Sequence, residues 1–155
     1  MKCLKAFIVI CIAFLKICLW SEENNTNEES KSDDECPEHW IRWTDKCYKT
    51  DDQCTTFIER LKICSSLNAS MLMISSEYEN EFIEQHFRCR YWLGAIRYPG
   101  SQKFVNIKKV EIIQFTLWHY GEPNNFNATE NCIEIKEGKW NDLNCHSKMN
   151  DKFTH

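Results

Sequence analysis

The sequence lacks the motifs of several enzyme and metal-site classes. It has no nucleophile elbow, no metal-hydrolase helix and no phosphate-binding loop, so nothing in it favours catalysis. No Cys-x-x-Cys pair occurs among its 10 cysteines, and no His-x₃₋₅-His pair among its 5 histidines, which argues against zinc. With 23 acidic and 19 basic residues it offers no basic surface for nucleic acid. The protein is therefore not expected to be an enzyme or to bind nucleic acid.

Only the N-terminal segment contains a long apolar run. Lys2 and Lys5 precede apolar residues 6–15, and Lys16 then interrupts the run. A membrane span needs roughly twenty apolar residues, about twice this length. The pattern predicts a signal peptide over residues 1–20 and therefore secretion. The alternative is a type II membrane protein anchored by residues 6–20.

The next segment, residues 21–35, is predicted to be a disordered acidic tail or stalk. It contains seven acidic residues and one lysine, and it has no aromatic or branched apolar residue. Residues 36–155 are long enough to form one domain with a hydrophobic core.

Seven cysteines follow the predicted signal peptide, and in a secreted domain they indicate a disulfide framework. They are Cys36, Cys47, Cys54, Cys64, Cys89, Cys132 and Cys145. Because seven is odd, at least one thiol must be free or joined to another chain. A disulfide-linked homodimer is therefore a candidate assembly.

Apolar spacing predicts two helices and several short strands. A helix is expected over residues 55–64 with Thr55 or Thr56 as its cap, and a second runs from Ser75 or Ser76 to Phe87. Ser76 and Glu79 have the spacing of a capping box. Strands are predicted at residues 71–74, 91–94, 132–135 and 138–140, with a hairpin within residues 36–48.

Oxygen-bearing side chains are concentrated between positions 122 and 142. Calcium binds six to eight oxygens from carboxylates, amides, backbone and water. Three crowded carboxylates would otherwise raise one another's pKa values, a conflict that a divalent cation removes. Because Pro123 permits a cis peptide bond, the side chains on either side of it can turn toward one point. The candidate ligands are Glu122, Asn124, Glu130, Asn141 and Asp142.

These residues resemble the calcium- and sugar-binding half of a C-type lectin domain in its mannose-type form. The matching elements are Glu122-Pro123-Asn124, Glu130 two residues before Cys132, and Asn141-Asp142 after Trp140. Galactose-type relatives carry Gln-Pro-Asp instead. The resemblance implies an α+β, disulfide-stapled C-type lectin-like fold with two helices, small antiparallel sheets and a long calcium-binding loop. It also implies that the five candidate ligands hold Ca²⁺, which binds two adjacent hydroxyls of mannose, fucose or N-acetylglucosamine.

The same resemblance assigns further residues. It implies Cys36–Cys47 and Cys132–Cys145 bridges, and it places Phe126 where relatives pack a side chain on the sugar, although an ordinary exposed aromatic is equally consistent. Trp140 is expected in the core. Arg97 and Ser101 stand where relatives carry the acids of a second calcium site, so one ion is expected.

The family's bridge from the first helix to the last strand has no second partner here. Cys64 occupies the first position, but no cysteine follows Cys145. We therefore predict that Cys64, or Cys54, pairs with Cys89.

Three Asn-x-Ser/Thr sequons predict glycosylation, at Asn24, Asn68 and Asn127. Asn127 lies inside the metal loop, where a glycan would crowd the sugar site.

The preferred function is a secreted calcium-dependent lectin that binds terminal sugars of glycoproteins or glycolipids, in immune recognition or its modulation. The alternative is a calcium-independent protein-binding module with a cell-surface immune receptor as its partner. Its support is the Cys-Pro-x-x-Trp wording of residues 36–40, which resembles natural-killer-cell receptors, and the missing acids near Arg97.

Overall fold

The computed structural model describes residues 36–51, 53–87 and 89–149. The predicted signal peptide, the acidic tail and Asn24 lie outside these residues. The chain divides into two units, residues 1–38 and 39–155, and the elements below belong to the second. Within the described ranges, no helix has the length and apolar character needed to cross a membrane.

The domain opens with a short antiparallel hairpin, as the sequence predicts. Strand β1 (Ile41–Trp43) pairs with strand β2 (Lys46–Tyr48). Cys36 and Cys47, the two cysteines expected to brace this region, are both disulfide-bonded.

Two helices follow. Helix α1 (Phe57–Ser66) begins at a complete capping box, in which Thr56 accepts from the Glu59 backbone and the Glu59 side chain accepts from the Thr56 backbone. Helix α2 (Glu77–His86) is capped by Ser76, whose hydroxyl accepts from the backbone nitrogen of Glu79.

The second half of the predicted Ser76–Glu79 capping box is wrong. The Glu79 carboxylate turns away from the cap and accepts hydrogen bonds from Lys46 Nζ at 2.7 Å, from the Tyr48 hydroxyl and from Ser75. Glu79 is completely buried, so these donors satisfy a carboxylate that water cannot reach. The residue joins α2 to the opening hairpin instead of closing its own helix.

A five-stranded antiparallel sheet supports the rest of the domain. Its central strand is β3 (Tyr91–Arg97), flanked on one side by β4 (Phe104–Asn106) and then β5 (Glu111–Ile112). On the other side lie β6 (Cys132–Lys136) and then β7 (Lys139–Leu143). The register of β3 against β6 shifts between Leu93 and Ile96, which marks a bulge.

The β6–β7 hairpin closes with the two-residue turn Glu137-Gly138. Both residues have positive φ, 51° and 71°, as a type I′ turn requires. This tight turn fixes the register, so Ile133 pairs with Asp142 and Glu134 pairs with Asn141. Two predicted calcium ligands therefore lie within β7.

The predicted strand at residues 71–74 is wrong, because this segment is not part of a sheet. Its Leu72 carbonyl accepts from the Gly94 backbone nitrogen at 2.7 Å. Met71 and Ile74 are buried, so side-chain packing holds the segment in place.

The core consists of two clusters. The larger one packs α2 against the sheet and contains Trp140, which is fully buried as predicted. Its other buried members are Ile74, Ile83, Phe87, Leu93, Ala95, Phe104, Ile133 and Ile135. The smaller one lies around the start of α1 and contains Phe57, Met71, Trp92, Cys132 and Met149.

The predicted bridge from Cys64 or Cys54 to Cys89 is wrong. All three cysteines are free thiols. Cys64 packs against the smaller cluster, and Cys54 is exposed.

Backbone hydrogen bonds join the chain after β7 to the start of α1. The Phe57 nitrogen donates to the Cys145 carbonyl at 3.2 Å, and the Met149 nitrogen donates to the Thr55 carbonyl at 3.1 Å. Together with the Cys132–Cys145 disulfide, whose Cα atoms are 5.2 Å apart, they anchor the C-terminal end of the sheet.

Candidate functional site

The candidate site is built where the segment before β6 passes alongside β7. The Trp140 nitrogen donates to the Leu117 carbonyl at 2.8 Å, and the His119 nitrogen donates to the Trp140 carbonyl at 2.7 Å. This short parallel contact brings Glu122 beside the end of β7. We call residues 122–130 the ligand loop.

Three of the five predicted ligands come together at the start of the ligand loop. The Glu122–Pro123 peptide bond is cis, and Asn124 Nδ2 donates to Glu122 Oε1 at 2.8 Å. The backbone nitrogen of Asn124 lies 3.0 Å from both Glu122 Oε2 and Asp142 Oδ1. Glu122, Asn124 and Asp142 therefore share one hydrogen-bonded cluster.

The other two predicted ligands make different contacts. Glu130 Oε2 accepts from the Phe126 backbone nitrogen at 2.8 Å, which turns its carboxylate back over its own loop. Asn141 Nδ2 donates to Glu134 Oε1 at 3.0 Å across the hairpin. Glu134 is buried and also pairs with Arg90. Glu130 and Asn141 thus lie beside the cluster, each with its own partner.

Asp142 is the most constrained member of the cluster. It is completely buried, and its Oδ2 accepts hydrogen bonds from the backbone nitrogen of Asn125 at 2.9 Å and from the guanidinium of Arg97. Its two oxygens therefore hold the backbone of the ligand loop on one side and a buried arginine on the other.

Arg97 contacts the cluster, and the sequence analysis did not include it among the site residues. The sequence excluded it only as an anionic ligand, yet its guanidinium is buried beside the site. An arginine at the end of the otherwise apolar strand β3 is the sequence signal that could have indicated it.

The electrostatics of the cluster leave one carboxyl group without a cation. Partial burial, together with the hydrogen bond and charge of neighbouring Asp142, raises the pKa of Glu122 above its ordinary value. Arg97 neutralises Asp142, but no basic group makes an ion pair with Glu122 among the described residues. A cation beside Glu122 and the Asn124 amide oxygen would relieve this excess of negative charge.

The donor set fits a hard cation such as Ca²⁺, because it consists of carboxylate and amide oxygens. Within the described part of the chain, no three His, Cys, Asp or Glu side chains are grouped closely enough to hold a metal by themselves. Amide oxygens would therefore have to contribute, as Asn124 and Asn141 can.

A polar cavity of about 270 Å³ adjoins Glu122 and Asn141. Its wall carries both acidic and basic side chains, so it suits a hydroxyl-rich ligand better than an apolar one. The other lining residues are Arg90, His119, Glu134, Lys136, Glu137 and Lys139.

The outer edge of the ligand loop is a 3₁₀ turn, Phe126–Ala128. Phe126 is 66% exposed and is available to a ligand. Asn127 is exposed with φ of 52°, and the sequon residue Asn68 is also exposed. Both sequons in the described part of the chain are thus accessible to solvent.

Comparison with known proteins agrees with this architecture. Residues 53–150 match the family model of the lectin C-type domain, and the chain belongs to that family. Its fold is the C-type lectin fold, with two helices, small antiparallel sheets and a disulfide-braced hairpin.

The relatives are receptors and lectins rather than enzymes. The chain is 29% identical over 116 residues to the low affinity immunoglobulin epsilon Fc receptor of Mus musculus, covering 74% of this chain and 35% of the relative. It is 31% identical over 117 residues to asialoglycoprotein receptor 2 of Rattus norvegicus, covering 71% and 38%. The chain thus spans well under half the length of these two curated relatives.

One similar solved structure is the cow C-type carbohydrate-recognition domain of CD23 in the presence of a GlcNAc2Man3 oligosaccharide. It shares 28% identity with this chain and superposes with a TM-score of 0.68. The match covers 76% of this chain and 92% of the CD23 domain.

Proposed function

We propose that this protein is a secreted lectin that binds terminal mannose, fucose or N-acetylglucosamine through one Ca²⁺. The observation that carries the proposal is the hydrogen-bonded cluster of Glu122, Asn124 and Asp142 within the Glu-Pro-Asn context. Glu122 also lines the polar cavity. The oligosaccharide named in the CD23 structure supports a sugar as the ligand class.

In this proposal, five side chains hold the ion: Glu122, Asn124, Glu130, Asn141 and Asp142. Calcium, when bound, supplies two coordination positions for adjacent hydroxyls of a hexose. The amide groups of Asn124 and Asn141 donate hydrogen bonds to those hydroxyls, and Glu122 and Glu130 accept from them. Because acceptor and donor alternate around the site, the Glu-Pro-Asn order selects the hydroxyl arrangement of mannose-type sugars.

A single site is expected to bind both calcium and a monosaccharide weakly. Calcium sites in extracellular modules have dissociation constants of about 10⁻⁴–10⁻³ M. Strong attachment to a glycoprotein or glycolipid surface would need several domains together. Cys54, an exposed thiol, is the residue that would link two copies as a homodimer. Such a lectin would serve immune recognition or its modulation, the setting of the Fc receptor relative.

A glycan array tests the proposal. Disulfide-intact protein is applied in millimolar calcium and again with excess chelator, and binding to mannose-type glycans is expected only with calcium. The Glu122→Gln/Asn124→Asp double variant should move the preference toward galactose. The Glu111→Gln/Gln114→Glu variant is a matched control at the far edge of the sheet, where both side chains are exposed. Unchanged specificity in the first double variant would reject the mechanism.

A calcium-independent protein-binding module is the second candidate, and one observation favours it. Arg97 already neutralises Asp142, so the ligand loop has internal support that does not depend on metal. Its partner would be a cell-surface immune receptor. Under this alternative the array stays negative in both conditions, and a receptor-binding assay is unaffected by chelator.

Secretion through a signal peptide at residues 1–20 is part of the proposal, and residues 21–35 would then be an acidic tail. N-terminal sequencing of protein expressed in animal cells tests both statements. Recovery from the medium with Ser21 as the first residue is expected. Retention in the membrane fraction with residues 6–20 intact would favour the type II anchor.

A further inference from the structure

Arg97 contacts both the end of the ligand loop and strand β7. Its Nε donates to the carbonyl oxygen of Glu130 at 2.9 Å, at the end of the ligand loop, and one terminal nitrogen pairs with Asp142 in β7. The other terminal nitrogen donates to the side chain of Gln102. The guanidinium also lies over the Phe104 ring, 4.6 Å from its centroid.

This pair is shielded from solvent. The side chains of Arg97 and Asp142 are 5% and 0% exposed, so neither charge can be screened by water. A buried carboxylate needs a positive partner or several donors, and Asp142 has both: Arg97 and the backbone nitrogens of Asn124 and Asn125. The backbone of the ligand loop is thereby held by a carboxylate that also contacts the arginine.

We propose that Arg97 is a built-in cation that positions the ligand loop in the absence of metal and competes with Ca²⁺ for Asp142. The competition rests on the proposed function, since it presumes that Asp142 is a calcium ligand. The support that Arg97 gives to the ligand loop does not rest on the proposed function, because it follows from hydrogen bonds seen in the structure. Arg97 is thus a positioning residue: it orders the ligand loop before calcium binds, and it lowers the affinity for calcium.

Two consequences distinguish this role from that of an ordinary buried ion pair. Removing the guanidinium should raise calcium affinity, because one carboxylate oxygen then becomes available to the ion. It should also loosen residues 122–130 in metal-free protein, because Asp142 loses its charge partner and Glu130 loses its donor. A merely structural pair would give the second effect without the first.

The test compares Arg97→Gln with wild type by isothermal titration calorimetry with calcium chloride on chelator-stripped, disulfide-intact protein. We expect the calcium dissociation constant to fall about tenfold, a usual size for coupling between two ligands that share a group. Hydrogen exchange in chelator should show faster exchange at the amides of Asn124 and Asn125, and added calcium should restore their protection.

Two controls separate the proposed role from general charge effects. Lys103→Gln removes one positive charge from the exposed turn between β3 and β4. Arg60→Gln, in α1, removes an ion pair in which an Arg60 guanidinium nitrogen lies 2.8 Å from a carboxylate oxygen of Asp51. Each should change the calcium dissociation constant by less than about twofold, as expected for exposed or distant charges.

If Arg97→Gln does not fold, Arg97→Lys decides the question. Lysine keeps the charge but lacks the planar fork, so it cannot contact Glu130 and Asp142 together. We then expect an affinity gain of about threefold, smaller than for glutamine because the charge remains. Unchanged or weaker calcium binding in the variant that folds would overturn the proposal.

Failure of the role proposed for Arg97 can be told apart from failure of the lectin assignment. A gain in calcium affinity without any sugar binding on the array would sustain the role of Arg97 and reject the lectin. Calcium-dependent sugar binding by wild type, with no gain of calcium affinity in the variants, would support the lectin and reject the role of Arg97.

Discussion

The indole nitrogen of Trp140 donates a hydrogen bond to Oδ1 of Asn80 at 3.3 Å, which fastens helix α2 to the strand that carries Asn141 and Asp142. The Nδ2 of the same asparagine donates to the Gly138 carbonyl at 2.9 Å. Asn80 is only 4% exposed, so both of its polar atoms are satisfied inside the protein. One amide thus fixes the turn and the body of the β6–β7 hairpin.

Asn80→Ala should therefore lower the free energy of unfolding by about 2–4 kcal/mol, because it leaves the Trp140 N–H and the Gly138 carbonyl unpaired. Urea denaturation at neutral pH measures the change. Gln85→Ala, on an exposed position of the same helix, is the control and should change stability by less than about 0.5 kcal/mol. A loss below about 1 kcal/mol in Asn80→Ala would mean that water replaces the lost contacts.

Glu79 gives the domain a pH-dependent contribution to stability. Burial alone would raise the pKa of this carboxyl, but hydrogen bonds from Lys46, Tyr48 and Ser75 outweigh it and hold the pKa below the ordinary value of 4.5. A carboxyl whose pKa is lowered by folding stabilises the protein above its unfolded pKa. That contribution is lost as the pH falls through the folded pKa.

Glu79→Gln should therefore cost about 3 kcal/mol near pH 7, since it breaks a buried charged network. The stability difference between wild type and variant should shrink steadily as the pH is lowered from about 5 toward 3. Thermal denaturation across this range measures it, with the exposed Glu81→Gln as a control. A difference that stays constant with pH would contradict the assigned cause.

Phe126 is predicted to contact bound sugar. Because it is 66% exposed at the edge of the ligand loop, Phe126→Ala should leave thermal stability nearly unchanged. Loss of about 1 kcal/mol of packing would weaken sugar binding by about fivefold, with little change in calcium affinity. Tyr120→Ala is the matched control, since Tyr120 is 98% exposed in the preceding segment. Equal sugar affinity in wild type and Phe126→Ala would assign Phe126 to the ordinary exposed aromatics.

The three free thiols should react at different rates. Cys54 is exposed, whereas Cys64 is half-buried and burial raises the pKa of its thiol, which lowers its thiolate fraction. Iodoacetamide at neutral pH followed by peptide mapping should label Cys54 first and Cys64 slowly, while Cys132 and Cys145 stay unlabelled until reduction. A Cys64–Cys89 or Cys54–Cys89 peptide would restore the pairing that the structure contradicts.

The fold was predictable from the sequence wherever local signals agreed with packing. Thr56, one of the two predicted caps, begins helix α1, and Trp140 is in the core as expected. At Ser76 only half of the predicted capping box forms, because a long-range network binds the Glu79 side chain to Lys46 and Tyr48. Local propensity does not report such tertiary competition.

For the site, the sequence identified the oxygen-bearing residues but not their partners. The cis bond before Pro123 could be expected because proline follows a predicted ligand. The Arg97–Asp142 pair could not be predicted, because 45 residues separate the two and only the sheet brings them together. The predicted pairing with Cys89 was wrong for the same reason, because sequence spacing does not show which thiols meet in the fold.

The exposed sequon at Asn127 has a practical consequence for anyone who produces this domain. A bacterial host leaves the asparagine bare, whereas an animal-cell host can attach an oligosaccharide two residues from the Glu130–Asn125 contact. Recombinant batches from the two hosts would then present different surfaces to the same array. Enzymatic deglycosylation of the animal-cell material is the comparison that would make the two preparations equivalent.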